Sequence, residues 1–431
     1  MSWLDRYFGI TARGSSVRTE LLAGLATFLT MAYIIVVNPA ILKDAGMDFG
    51  AVFVATILAS AAATFIMGAW AKWPVALAPG MGLNAYFTYT IVIGMKQPWQ
   101  VAMGAVFLSG LLALAFSLTG LREWIINSIP KALKLGIGAG IGLFLAIIGL
   151  RNAGVVVDNP ATLVGLGDVG SPAVLLATLG FVLMVVLDRM RVPGAIVIGI
   201  LGISLVGWFV GAAPFEGVVG PVPSIAPTFL QLDVGGVFSA GLISVVMALL
   251  FVDFFDTAGT LTSVANISGK VDAQGRVDGI GKAVVADSAA TTIGALLGTS
   301  NTTSYIESGA GIKEGGRTGL TAVTVAALFL LCLGFAPLAQ SIPAFATAPA
   351  LVFVACHFTR NIVDLDWDDP TEYAPAILGA IMMPLTYSVA HGIAIAFIVY
   401  ALAKLASGQR EKATPGVLII AVLSVLHFVF S

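Results

Sequence analysis

Residues 296–312 read "LLGTSNTTSYIESGAGI", which sets one glutamate, Glu307, among threonine, serine and glycine. Long apolar runs lie on either side. In a soluble chain this would be a surface loop, but here 58% of the 431 residues are hydrophobic and only 10% are charged. Ordinary soluble domains carry about 25% charged residues. Apolar runs that suit about 30 Å of hydrocarbon recur along the chain, at 21–42, 51–70, 101–120, 173–187 and 319–338. The chain therefore reads as an all-α polytopic membrane protein, and Glu307 as a carboxylate at membrane depth. The net charge of −2 says little about partners, because the charges fall in loops. Cys332 and Cys356 lie in or at the ends of apolar runs and suggest neither a disulfide nor a metal site. The N-terminal "MSWLDRYFGITARGSS" lacks the layout of a signal peptide, so the first span is expected to be retained.

Basic residues orient the spans. About fourteen spans starting from a cytoplasmic N-terminus put 18 of the 21 Lys and Arg residues inside. Lys43, Lys96 and Arg151 remain outside, and the long loop 212–235 has no Lys or Arg, as an external loop should.

Two spans are irregular. In "WPVALAPGMGLNAYFTYTIVIG" (73–94), Pro74, Pro79, Gly80 and Gly82 prevent a continuous helix. The other is 296–312. A broken span is tolerated in a bilayer only where its backbone is buried in protein or lines a wet cavity. Such spans in matching places of two halves point to a transporter's binding site. The places match: "SAAATFIMG" (60–68) precedes the first and "SAATTIGALLG" (288–298) the second. "NAYFT" (84–88) then falls opposite "TSYIE" (303–307), about 220 residues later. Seven spans per half is an odd number, so the copies are inverted: a 7+7 repeat whose broken third and tenth spans meet at mid-membrane.

A third stretch, "SVVMALLFVDFFDTAGTLTSVA" (244–265), places Asp253, Asp256, Thr257 and Thr260 at i, i+3, i+4 and i+7 on one helix face. An acid at the bilayer centre costs about 2.5–3.5 kcal/mol on insertion scales and commonly marks a pathway. The alternatives are a structural hydrogen-bond knot for the two aspartates and a surface loop for Glu307. With no Lys or Arg inside any clear span, anionic cargo is disfavoured. Carboxylates accept hydrogen bonds, so the cargo should offer N–H donors. Asn84 can meet both a donor and an acceptor on a planar heterocycle. Tyr33, Phe87, Phe254, Phe255 and Tyr305 are candidates to stack on a ring. Desolvation favours the neutral form of an acid, which suits a group that gains and loses a proton in each cycle; sodium coupling stays open.

"APGMGLNAYF" (78–87), "FVDFFDTAGTL" (251–261) and "NTTSYIESGAGIKEGGRTGLTAV" (301–323) resemble the signature segments of the AzgA-like purine permeases. These are a branch of the nucleobase:cation symporters, related to uracil and urate–xanthine permeases. "ARGSSVRTELLAGLATFLTMAYIIVVNP" (12–39) and "MMPLTYSVAHGIAIAF" (382–397) extend the resemblance from about residue 5 to the end. It implies a core domain (1–121 and 236–338), a gate domain (122–235 and 339–431) and an elevator-type motion between them. Spans 5–7 and 12–14 would form the gate and a homodimer contact. The base would be held by Asp253 of span 8 and Glu307 of span 10, with Asn84 matching the family's functional Asn and Asp256 its second span-8 acid. The expected site set is Asn84, Asp253, Glu307, Thr257, Phe87, Tyr305 and Ser304 for substrate, and Asp253, Asp256 and Glu307 for protons. The cargo implied is hypoxanthine, adenine or guanine, imported with protons across a bacterial-type cytoplasmic membrane, with no cofactor, metal or nucleic acid.

Other motifs yield to plainer readings. "GIGAGIGLFLAIIGL" (136–150) follows no strand, so its glycines are read as close helix packing. "DLDWDDP" (364–370) lacks the rest of an EF-hand loop and is expected to be a solvated cytoplasmic turn. His357, His391 and His427 show no ligand spacing. Two rivals, an intramembrane aspartyl protease and a related-fold anion transporter or channel, lack respectively the facing Gly-rich acid motif and basic or neutral site residues.

Overall fold

The computed structural model describes residues 3–119, 129–271 and 277–430. Arg122 and Arg276, two of the residues placed inside by the charge count, lie outside these. Ten helices among the described residues are long and apolar enough to cross a membrane. In chain order the segments are 1 (Val17–Asp44), 2 (Phe49–Ala69), 3 (broken, within 73–94), 4 (Trp99–Thr119), 5 (Lys131–Asn152), 6 (Pro172–Arg189) and 7 (Ala195–Phe209). There follow 8 (Ile243–Ser268), 9 (Ile280–Leu297), 10 (broken, within 299–313), 11 (Gly319–Gln340), 12 (Ala344–Asp364), 13 (Pro370–Thr386) and 14 (Val389–Ala406). The figure of fourteen thus counts the two broken segments and the shorter helices 7 and 13 beside the ten. A last helix, Pro415–Phe430, packs on segment 14.

The breaks follow the residues predicted to cause them. After Pro74 the chain runs extended as strand β1 (Leu77–Pro79), then turns at Gly80 into the helix Met81–Ala85, which loosens into a π-helical stretch, Tyr86–Gly94. A separate hairpin, β2 (Val156–Asn159) with β3 (Leu163–Leu166), lies between segments 5 and 6, and the second copy of the break then forms β4 (Thr302–Ser304) and the helix Ser308–Lys313. β1 and β4 pair antiparallel, Leu77 with Ser304 and Pro79 with Thr302. This pairing, extended by Gly80 N–H to Asn301 O (2.8 Å) and Tyr305 N–H to Ala76 O (2.9 Å), satisfies backbone groups that lipid cannot.

The repeat is visible in side chains as well. Thr64 of segment 2, in the first "SAAAT", uses its hydroxyl both to donate to Leu77 O (3.0 Å) and to accept from Leu77 N–H (2.8 Å). Thr291 of segment 9, in the matching "SAAT", donates to Thr302 O (3.0 Å). Each strand is clamped by the helix before it. The register within the broken segments differs from the expected one, however. The strands begin at Leu77 and Thr302 and the helices at Met81 and Ser308, so Asn84, inside its helix, matches residues beyond Glu307 rather than Thr303. Short polar letters had aligned a helix with a strand.

Segments 1–4 pack mainly on 8–11, and segments 5–7 mainly on 12–14. In the first group, segments 2 and 11 cross where Gly68 and Gly319 touch: a Cβ on Gly68 would lie 2.5 Å from Gly319 O, and one on Gly319 would collide with Gly68 O. Glu20, fully buried, ties segment 1 to the start of segment 11 by accepting from the N–H groups of Arg317 (3.0 Å) and Thr318 (3.2 Å) and from the Thr321 hydroxyl (2.5 Å). Gly319→Val is therefore expected to destabilise by at least about 1–3 kcal/mol, the usual overpacking cost. The check is the melting temperature and the monodisperse fraction of the purified protein; an unaltered melt would mean the crossing can open.

In the second group, four of the five glycines of segment 5 are packing glycines, as expected, and Gly138 faces open space. A Cβ on Gly136 would meet Ala376 Cα at 2.8 Å, and one on Gly142 would meet Phe358 Cβ at 2.8 Å. The 364–370 stretch is only partly the solvated turn expected. Asp366 and Asp368 are exposed, but Asp369 caps segment 13 and belongs to an ion cluster around Lys404, whose side chain is fully buried. Lys404 Nζ lies 2.7 Å from Glu372 and 3.2 Å from Asp369, and donates to Thr371 (2.6 Å). Hydrogen bonds from Thr371, then the Lys404 ammonium, hold the Asp369 carboxyl well below the usual carboxylate range.

Candidate functional site

The β1–β4 crossing lies beside the middle of segment 8, and the sequence puts polar residues on all three elements. Glu307, half-buried, stands just before the short helix after β4, and its Oε1 accepts from the Tyr33 hydroxyl (2.9 Å). Tyr33 is available there because segment 1 is interrupted at Ala32–Tyr33, between the helices Val17–Met31 and Ile34–Asp44. Thr30, just before the interruption, donates to Glu307 O (3.4 Å). Asp256, also half-buried, comes within electrostatic reach of Glu307 and of Asp287, and Tyr305 is close to both Glu307 and Asp256. Tyr305 donates its hydroxyl to Pro79 O, across to the first copy.

Asp287 was missed by the sequence reading. It sits fully buried in segment 9, and its carboxylate accepts from the Thr257 hydroxyl (2.6 Å), the Ser304 N–H (2.9 Å) and the Ser304 hydroxyl (2.7 Å). It joins segment 8 to β4 and fixes two of the expected site residues. The signal was present in "AVVADSAATTIGALL" (283–297). Asp287 directly precedes the "SAATT" stretch, and a span read from Ala283 places the acid within it.

The remaining residues fall elsewhere around the crossing. Asp253 and Thr257 are buried on one face of segment 8, with Thr260 following. Asn84 is buried in a separate polar cluster. Its Oδ1 accepts from Ser300, while its Nδ2 has no hydrogen-bond partner among the described residues. An unmatched buried amide donor costs about 1–3 kcal/mol unless a ligand or water meets it. Phe87 belongs to the main apolar core, and Phe254 turns away from the acids to pack with Ala113, Leu250 and Phe116. Phe254 is not placed to stack on anything bound between Asp256 and Glu307, although Phe255, half-buried, stays on the open side.

That open side has a pattern. Asp256, Gly259, Ser263 and Asn266 follow at i, i+3, i+7 and i+10, and all are half-buried or exposed. Polar groups facing lipid would be costly, so this stripe reads as the wall of a wet crevice running from the acids to the end of segment 8. The site can thus offer two carboxylates and a tyrosine hydroxyl to a group entering along the stripe. No group of three or more His, Cys, Asp or Glu able to hold a metal occurs among the described residues.

A family model described as a permease family matches residues 18–395. The adenine permease AdeP of Escherichia coli is 43% identical over 427 residues, covering 99% of this chain and 96% of its own. The guanine/hypoxanthine permease PbuG of Bacillus subtilis is 44% identical over 439 residues, covering 99% and 100%. Among solved structures, the transmembrane domain of the cyanobacterial bicarbonate transporter BicA matches with a TM-score of 0.68 at 17% identity, over 88% of this chain and 97% of that one. At that identity the likeness is one of fold.

Proposed function

The chain belongs to the permease family, whose members are transporters and not enzymes, and from that premise we propose that it imports purine nucleobases (hypoxanthine, adenine or guanine) by proton symport. The observation that carries this reading is half-buried Glu307, held by the Tyr33 hydroxyl beside the β1–β4 crossing, with half-buried Asp256 within electrostatic reach of it at the head of the polar stripe on segment 8. A purine has ring and exocyclic N–H groups for these carboxylates to accept. Asn84, in the polar cluster across the crossing, keeps an amide donor unmatched for complementary polarity, and Asp253, Thr257, Ser304 and Tyr305 surround the acids, while Phe87 contributes only from the apolar core behind them. Glu307, Asp256 and Asp253 are the proton carriers in this scheme, with the base and the proton arriving and leaving together.

Segments 1–4 and 8–11 act as the core and 5–7 and 12–14 as the gate. The packing supports this division, as do the Thr64 and Thr291 clamps, which fix both strands to core helices. The core then slides against the gate in an elevator-type cycle, and gate segments of two copies meet in a homodimer. The N-terminus lies in the cytoplasm of a bacterial-type cell, under its cytoplasmic membrane.

The test is uptake of radiolabelled hypoxanthine into proteoliposomes with and without an imposed inward proton gradient, against unlabelled adenine, guanine, uracil and xanthine. Accumulation that needs the gradient and yields to purines is expected; uptake indifferent to the gradient would remove proton symport, and no uptake by folded protein would remove the cargo. A companion prediction concerns the crevice. A cysteine introduced at Ser263, with Cys332 and Cys356 replaced, should react with a charged thiol reagent from the N-terminal side, and hypoxanthine should slow the reaction. Failure to react would mean that the stripe is not wet.

A further inference from the structure

At the end of the core that carries the N-terminus, a cleft of about 410 Å³ lies between Arg13, the end of segment 2, Lys270 just after segment 8 and residues 278–282 at the start of segment 9. Among the described residues lining it, the cations are Arg13, Lys72, Lys270 and Lys282, and Asp278 is the one carboxylate. That carboxylate is already engaged: Arg13 lies 2.8 Å from it, and Lys270 Nζ stands off at 3.9 Å. Lys270 is nevertheless only 2% exposed and sits over the Trp73 ring at 5.2 Å from its centroid. Burial, helped by Arg13, pushes its ammonium down to about 8, so the charge is under-compensated where it stands. Trp73 adds a second unmatched group. It is fully buried, and its indole Nε1 has no hydrogen-bond partner among the described residues. A Cβ at Gly279 would approach that nitrogen at 3.2 Å, so the glycine leaves the N–H uncrowded.

We propose that this cleft binds a phosphate group, held by Lys270, Trp73 Nε1–H and the exposed ammoniums of Lys72 and Lys282. Beside the Arg13–Asp278 pair, the described lysines Lys72, Lys270 and Lys282 suit an anion, and several acceptor oxygens suit donors that converge from three elements. The volume exceeds what a bare phosphate needs, leaving room for the rest of a phosphate ester. The phosphate comes either from a soluble monoester or from an anionic phospholipid headgroup, since the cleft opens near the membrane surface. This site is separate from the Asp256–Glu307 crevice and does not depend on what that crevice carries.

Two arms distinguish the sources, both on the full chain in nanodiscs. In phosphatidylcholine discs, equilibrium dialysis measures binding of inorganic phosphate and of adenosine monophosphate. In discs containing phosphatidylglycerol without soluble phosphate, native mass spectrometry counts retained anionic lipid. The Lys72→Gln/Lys282→Gln double variant alters two exposed side chains, and its fold is checked by its melting temperature. Saturable binding in one arm, weakened about tenfold or more by the variant, is expected and names the source. No saturable binding in either arm, or binding that the variant leaves unchanged, overturns the proposal.

Discussion

Glu307→Gln should abolish gradient-driven purine accumulation and weaken purine binding by about 10- to 100-fold, while the protein melts within a few degrees of the parent. The asymmetry follows from what Glu307 touches. Its carboxylate accepts from the Tyr33 hydroxyl, a bond the glutamine carbonyl can also accept. The fold loses little. A hydrogen bond to a charged group is worth about 1.5–3 kcal/mol, and each 1.4 kcal/mol is a factor of ten in binding. Glutamine also cannot exchange a proton, so whatever transport remains should run only down the purine's own gradient. Purified variant and parent would be compared in proteoliposome uptake and in direct binding of hypoxanthine. A variant that still accumulates purine against its gradient would remove Glu307 from both roles.

Asp287→Ala should do the reverse, striking stability first. The carboxylate is fully buried and receives the Thr257 hydroxyl and both donors of Ser304. Its removal takes the acceptor from these donors, at about 1–3 kcal/mol for each that stays unmet. A loss on the order of 3 kcal/mol or more is expected, with a visibly lower melting temperature and poor recovery from detergent. Asp287→Asn keeps the shape but turns two acceptor oxygens into one acceptor and one donor. It should fold better than the alanine variant and bind purine more weakly than the parent, because Ser304 and Thr257 lose the group that positions them. Asp287→Ala with parental melting and parental uptake would show that β4 does not need this tie.

These residues also mark how far the sequence could be read. The membrane class, the broken segments and the inverted halves were legible because they rest on composition, on Pro and Gly positions and on the recurrence of "SAAAT" and "SAATT". Asp256, Glu307 and Tyr33 were legible as polar or aromatic exceptions in apolar surroundings. Asp287 was not, because a single acid near the edge of a run looks like a loop residue until the helix boundary is known. The local register failed for a related reason. Ser, Thr and Asn serve strand, turn and cap alike, so the match of "NAYFT" to "TSYIE" carried no information about backbone geometry. Phe254 and Asp369 needed the third dimension, the former to show which side of segment 8 it faces, the latter to bring Lys404 from 35 residues away.

The strand pair at the crossing has a consequence for how the chain is made. β1 ends at Pro79, and its only strand partner among the described residues, β4, starts at Thr302. At about 5–20 residues per second, ribosomal synthesis separates the two by roughly 10–45 s. Through that interval the Thr64 hydroxyl, which meets both polar groups of Leu77, is the protection β1 carries from its own half. Maturation of this protein therefore ends late, when the second half threads its strand against the first, and a pulse-chase of protease resistance should show a lag that a chain truncated before residue 302 never completes.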